Sequence, residues 1–186
     1  MYIRRKIEGQ LRYLSEHFPA VVVTGARQTG KTTLIKESVG RDEDMTYVTL
    51  DHPRIRDLAK NDPELFLQQY PVPLIIDEIQ YAPELLPYIK MKIDEDRRQG
   101  QYYLTGSQMF RLMNNVSESL AGRVGLLSLY GFSRAEILDK DEKPFLPGES
   151  LIQKSEETVI TVFDRIYRGS MPQMIIDPQL MPESYF

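Results

Sequence analysis

The chain has 186 residues, a formal net charge of −4, 41% apolar and 27% charged residues, the balance of a globular protein with one sizeable core. It has no cysteine, which excludes disulfides, thiolate nucleophiles and cysteine-based zinc sites, and its acidic balance offers no broad basic footprint for nucleic acid. No apolar run approaches the ~20 residues that a membrane-spanning helix needs, and the amino terminus lacks a secretory apolar core, so no membrane contact and a cytoplasmic location are expected.

In chain order, Ile3, Ile7, Leu11, Leu14 and Phe18 recur at helical spacing, predicting an amphipathic helix over 3–17 that Pro19 stops. Arg4, Arg5, Lys6 and Arg12 read as its solvated face. Ala20-Val21-Val22-Val23-Thr24 is a β-branched run of the kind a parallel strand shows when both faces are covered. Next comes Gly25-Ala26-Arg27-Gln28-Thr29-Gly30-Lys31-Thr32, the spacing G-x-x-x-x-G-K-[ST] of a phosphate-binding loop, followed by Thr33-Leu34-Ile35-Lys36-Glu37 as a helix start. Each fixed position has a physical task. The glycines let backbone approach a phosphate, and the loop and helix amides face it. Lys31 reaches the β- and γ-phosphates, and the Thr32 hydroxyl holds Mg²⁺.

A second strand is predicted over Met45–Leu50. Asp51 is expected to cap the helix after Pro53, and Asn61-Asp62-Pro63 to separate two short helices. Pro73-Leu74-Ile75-Ile76-Asp77-Glu78 is an apolar run ending in two carboxylates. Behind a phosphate loop, Asp77 is the candidate Mg²⁺ ligand and Glu78 the candidate base for the attacking water. Pro83 opens a helix to about Arg98, with Leu86, Ile89 and Ile93 inward and Gly100 as its stop. Gln101–Ser107 and Val124–Tyr130 complete five strands alternating with helices. That pattern indicates an α/β domain with a mainly parallel sheet and a ligand site at the strands' carboxyl ends. The stretch 139–149 is charged and contains Pro and Gly, and reads as a linker. Thr158–Tyr167 is one more helix, and the tail from Met171 shows no clear element. His17 and His52 show no ligand spacing.

The motif set resembles the AAA+ branch of P-loop ATPases. More closely, it resembles a prokaryotic AAA-type ATP-binding family whose members often carry a C-terminal domain of unknown function. The residues concerned are Thr24–Leu34, Leu74–Gln80, Leu104-Thr105-Gly106-Ser107-Gln108 and Ser119-Leu120-Ala121-Gly122-Arg123. The resemblance implies a three-layer P-loop NTPase sandwich with strand order 5-1-4-3-2. It implies an ATPase core over 1–138, with 139–186 as linker and partial lid or the start of a further domain. It also implies a sensor position at Ser107, or at Thr105, and a phosphate-facing arginine at Arg123, within one chain or across a homo-oligomer. Arg27 is a second candidate for phosphate or partner contact, and Arg168 for a lid sensor.

ATP with Mg²⁺ is the expected ligand pair, bound by Gly25 to Thr33, and no N-K-x-D motif for reading guanine is present. Hydrolysis to ADP and phosphate is the first expectation. A nucleotide-dependent switch or DNA-binding regulatory ATPase with little hydrolysis of its own is the alternative. A protein or DNA partner is left open. A small-molecule phosphotransferase would need an acceptor pocket and a basic lid, for which there is no motif.

Overall fold

The computed structural model describes residues 2–40, 45–107, 116, 119–140 and 157–185. The chain forms two compact units: Lys6–Tyr130, and Met1–Arg5 together with Gly131–Phe186.

In the first unit, β1 (Ala20–Thr24), β2 (Thr46–Thr49), β3 (Leu74–Asp77), β4 (Tyr102–Gly106) and β5 (Val124–Ser128) form one sheet in the order β2-β3-β4-β1-β5, with every pairing parallel. Read from the other edge, this is the expected order 5-1-4-3-2. Alternation along β1 explains the layering, because successive side chains point to opposite faces. Val21 and Val23 pack with Leu11 of α1 (Glu8–His17) and with Leu34 and Ile35 of α2 (Lys31–Ser38). Ala20 and Val22 face a larger cluster on the other side. It contains Ala59 of α3 (Pro53–Asn61), Phe66 of α4 (Pro63–Gln69), and Leu85, Leu86, Ile89 and Ile93 of α5 (Leu85–Glu95). All five β1 residues are buried, which accounts for its unbroken apolar run.

The break between α3 and α4 is chemical. Pro63 is the first residue of α4, and the Asp62 carboxylate accepts the Leu65 N–H as its cap. Two helices and one cap differ from expectation. Helix α1 begins at Glu8 rather than near residue 3, and α5 occupies Leu85–Glu95 within the longer span expected. Asp51 does not cap α3: His52 is the N-cap residue, and no side chain bonds there.

In the second unit, Arg5 is 5% exposed and paired with Glu136 at 3.0 Å, and its guanidinium lies 4.3 Å from the Phe132 ring centroid. Arg5 is therefore not part of a solvated helix face. Glu136 also accepts the Ser133 N–H at 2.7 Å, closing a capping box on the short α6 (Arg134–Ile137). Helix α7 (Val159–Arg168), expected over Thr158–Tyr167, starts at Thr158, whose hydroxyl accepts the Thr161 N–H. The tail does form elements: α8 (Pro172–Ile176) and a 3₁₀ turn, Pro182–Ser184. From residue 141 onward, the expected linker over 139–149 lies outside the described residues, as does Gln108.

Candidate nucleotide site

Because every strand is parallel, their carboxyl ends share one edge. Register brings Thr24 opposite Gly106 and Ser128, and Thr49 opposite Asp77. The loop Gly25–Gly30 leaves β1 at this edge. Gly25 takes φ +152°, and a Cβ there would lie 2.2 Å from the Leu129 carbonyl oxygen, so no other residue fits without moving backbone. Gly30, at φ +89°, is the left-handed N-cap of α2. The first intrahelical bond of α2 is Leu34 N–H to Gly30 O, so the Lys31, Thr32 and Thr33 amides precede the ladder. Thr29 is buried and donates to Ala26 O at 2.9 Å, tying the loop together. Ala26, Arg27, Gln28 and Thr33 are exposed.

Lys31 is buried in the cradle that the loop makes. Its Nζ donates to Gly25 O at 3.2 Å and Ala26 O at 2.8 Å. Burial pushes its pKa below the usual lysine range, against the opposing pull of the Glu78 and Asp77 charges. Thr32 Oγ1 donates to Asp77 Oδ1 at 3.0 Å. A hydroxyl and a carboxylate oxygen this close are hard donors of the kind Mg²⁺ takes alongside phosphate oxygens and water, so the residues fit that ion. Among the described residues there is no cluster of three or more His, Cys, Asp or Glu side chains suited to a metal ion.

Asp77 is held from three sides. Thr105 also donates to Oδ1, and Tyr47 donates to Oδ2 at 3.1 Å. Desolvation and the Asp77 charge push Tyr47 up to about 12. Thr105 is fully buried, and its Oγ1 also accepts the Glu78 N–H at 3.2 Å. Its hydroxyl is thus committed to the third strand. Thr105→Val keeps the shape but strands that N–H, and is expected to cost about 1–3 kcal/mol in urea unfolding.

Ser107, just past β4, donates to Glu78 Oε2 at 3.3 Å. Arg27 donates to the Tyr81 hydroxyl at 3.2 Å. With Gln28, Asp51 and Glu78 it lines an open cleft of about 350 Å³. Arg123 is not brought to this edge. Its carbonyl accepts from Ala20 N–H at the start of β1, and its guanidinium clasps Asp94 of α5 at 2.8 and 3.1 Å, so it stands at the amino ends of the strands. A phosphate-facing role for Arg123 within its own chain does not fit this position. Arg168 donates to the Met174 and Asp177 carbonyls within the second unit.

Two residues at the site, Tyr47 and Gln80, were given no role by the sequence, although Gln80 closes the motif Leu74–Gln80. Tyr47 carries no local signal. Gln80 has a weak one, as a polar residue between Ile79 and Tyr81 two positions past the acidic pair.

The sheet order, the glycine loop after β1 and the acidic pair at the end of β3, with β4 between those two strands, define a P-loop ATPase fold of the AAA type. The chain belongs to the AAA domain family, whose model matches residues 17–138. It is 33% identical over 134 residues to the uncharacterised proteins Mb2031c of Mycobacterium bovis and Rv2008c of Mycobacterium tuberculosis. Those matches cover 72% of this chain, which spans about 30% of the length of each relative. In structure it resembles the Walker-type ATPase PABY2304 of Pyrococcus abyssi, with a TM-score of 0.53, 18% identity, and coverage of 74% of this chain and 56% of that one. It also resembles AMPPCP-bound DnaA of Aquifex aeolicus, with a TM-score of 0.51, 11% identity, and coverage of 91% and 57%. Among the described residues no helix is long and apolar enough to cross a membrane.

Proposed function

We propose that this domain binds ATP with Mg²⁺ and hydrolyses it to ADP and phosphate, as the motor or switch part of a larger cytoplasmic protein. The observation that carries this reading is the 3.0 Å approach of Thr32 to Asp77, with Glu78 next along the chain and Lys31 in the adjoining loop. Lys31 and the loop amides hold the phosphates, Thr32 and Asp77 hold Mg²⁺, and Ser107 stands at the γ-phosphate end beside Glu78. Mg²⁺ held by Thr32 and Asp77 would offset the negative charge that the phosphate oxygens carry in the transition state. Glu78 orients a water molecule and takes its proton. The water oxygen bonds to the γ-phosphorus as the bridging P–O bond breaks, and ADP leaves with that electron pair. Residues 1–138 are the ATPase core of this reading, and 139–186 a linker and partial lid or the start of a further domain. Any arginine finger in a homo-oligomer that used Arg123 would first have to release it from Asp94.

Purified protein is expected to release phosphate from ATP in the presence of Mg²⁺, and to stop when EDTA removes the ion. Absence of Mg²⁺-dependent ATP consumption would overturn the hydrolytic reading. Tight MgATP binding without release, with or without duplex DNA, would identify the alternative, a nucleotide-dependent switch. The short single hydroxyl of Ser107 at the sensor position favours that alternative.

A further inference from the structure

The turn after β3 holds two costly features within three residues. Glu78 sits at φ 59° and ψ 45°, left-handed for a residue that carries a Cβ. Gln80 folds its side-chain amide back onto Glu78 Oε2, and the same nitrogen lies 3.4 Å from Ser107 Oγ. That orientation is fixed by chemistry, because an ionised carboxylate only accepts, so the amide nitrogen has to face it. The consequence falls on the other end of the amide. Gln80 Oε1 is buried and accepts from no donor among the described residues. A buried acceptor without a donor lowers stability, and an isosteric apolar side chain would avoid that cost. Such costs, like left-handed backbone at a residue with a Cβ, collect where geometry serves function.

We propose that Gln80 is a positioning residue for Glu78, an inference that rests on the hydrolytic reading above. Gln80 and Ser107 both direct donors at Oε2. Oε1 accepts from none of the described residues, and is therefore the oxygen left to receive the proton of the attacking water. Without Gln80 only the Ser107 hydroxyl holds Oε2, and the carboxylate gains freedom about its last torsion, which has broad wells. The side chains that Gln80 bonds are Glu78 and Ser107, not Lys31, Thr32 or Asp77, so its effect is expected on turnover and not on binding.

Two near-isosteric variants test this. Gln80→Met removes both the donor and the orphaned acceptor. Gln80→Glu keeps the shape and sets a second carboxylate against Glu78. Both are expected to bind a fluorescent ATP analogue with Mg²⁺ within about twofold of wild type and to lose roughly 10- to 100-fold in kcat. Gln80→Met is expected to melt no lower than wild type. Combined with Ser107→Ala, it is expected to lose less than the product of the two single effects, because both residues act through one oxygen. Wild-type kcat in Gln80→Met, a rise in kcat, or fully multiplicative losses would each overturn the assignment. The two levels separate cleanly. If wild type turns over, Glu78→Gln does not and Gln80→Met does so normally, only Gln80 loses its role. If wild type itself does not consume ATP, the hydrolytic reading falls and takes this role with it.

Discussion

Glu78→Gln is expected to bind MgATP with wild-type affinity and to release phosphate about 100- to 10,000-fold more slowly, the range a positioned general base contributes. The substitution is nearly isosteric, so the left-handed turn at residue 78 has no new bulk to accommodate. An amide oxygen in the place of Oε2 still accepts from Ser107 and Gln80. The groups assigned to phosphate and metal are untouched: Lys31 stays in the loop, and Thr32 stays against Asp77. Only the capacity to take a proton is lost. Nucleotide titration and phosphate release on the same preparation check both halves. Normal turnover would remove Glu78 from the chemistry, whereas lost binding would mean that the carboxylate holds nucleotide or metal.

The strands were legible because each is short, apolar and bounded by Gly, Pro or charge. The buried β1, followed by a loop with two fixed glycines, identified the site edge without any tertiary knowledge. Sheet order entered only through family resemblance, since no local pattern says that β4 lies between β1 and β3. Contacts that depend on that order stayed hidden. Tyr47 meets Asp77 because β2 pairs with β3 and Thr49 falls opposite Asp77. Thr105 reaches Asp77 from β4, the neighbour of β3 on its other side. Helical periodicity also misled at the amino end, where Ile3 continues the apolar rhythm. Arg5 is instead bound to Glu136, which lies 131 residues away in sequence. Arg123 had the right residue type, but pairing Ala20 with Val124 puts it at the amino ends of the strands, away from the phosphate loop of its own chain.

Lys31→Met is expected to abolish measurable MgATP binding and, at neutral pH, to leave the nucleotide-free protein melting no lower than wild type. The two effects have one cause. Lys31 is 6% exposed, and burial lowers its pKa from 10.5 even with Glu78 and Asp77 nearby, so its charge is held at a cost in the empty loop. At neutral pH both the folded and unfolded chains are protonated there, and the whole cost is present. As pH rises through the lowered folded value towards 10.5, the native chain sheds its proton first and the cost fades. Any melting advantage of Lys31→Met should therefore shrink with rising pH across that alkaline window. Methionine fills the same stem volume but forfeits the two bonds to Gly25 and Ala26 carbonyls, which offsets part of the gain. Nucleotide is expected to reverse the balance, because β- and γ-phosphates would give the buried cation its partner. Removing one member of a buried charge pair costs about 3–5 kcal/mol, roughly a hundredfold to several thousandfold in Kd. Melting curves at two pH values and a titration with a fluorescent ATP analogue measure both effects. Binding retained by Lys31→Met would mean that this loop is not where the phosphates sit. A clear loss of melting temperature would mean that the two carbonyl bonds outweigh the cost of the buried charge.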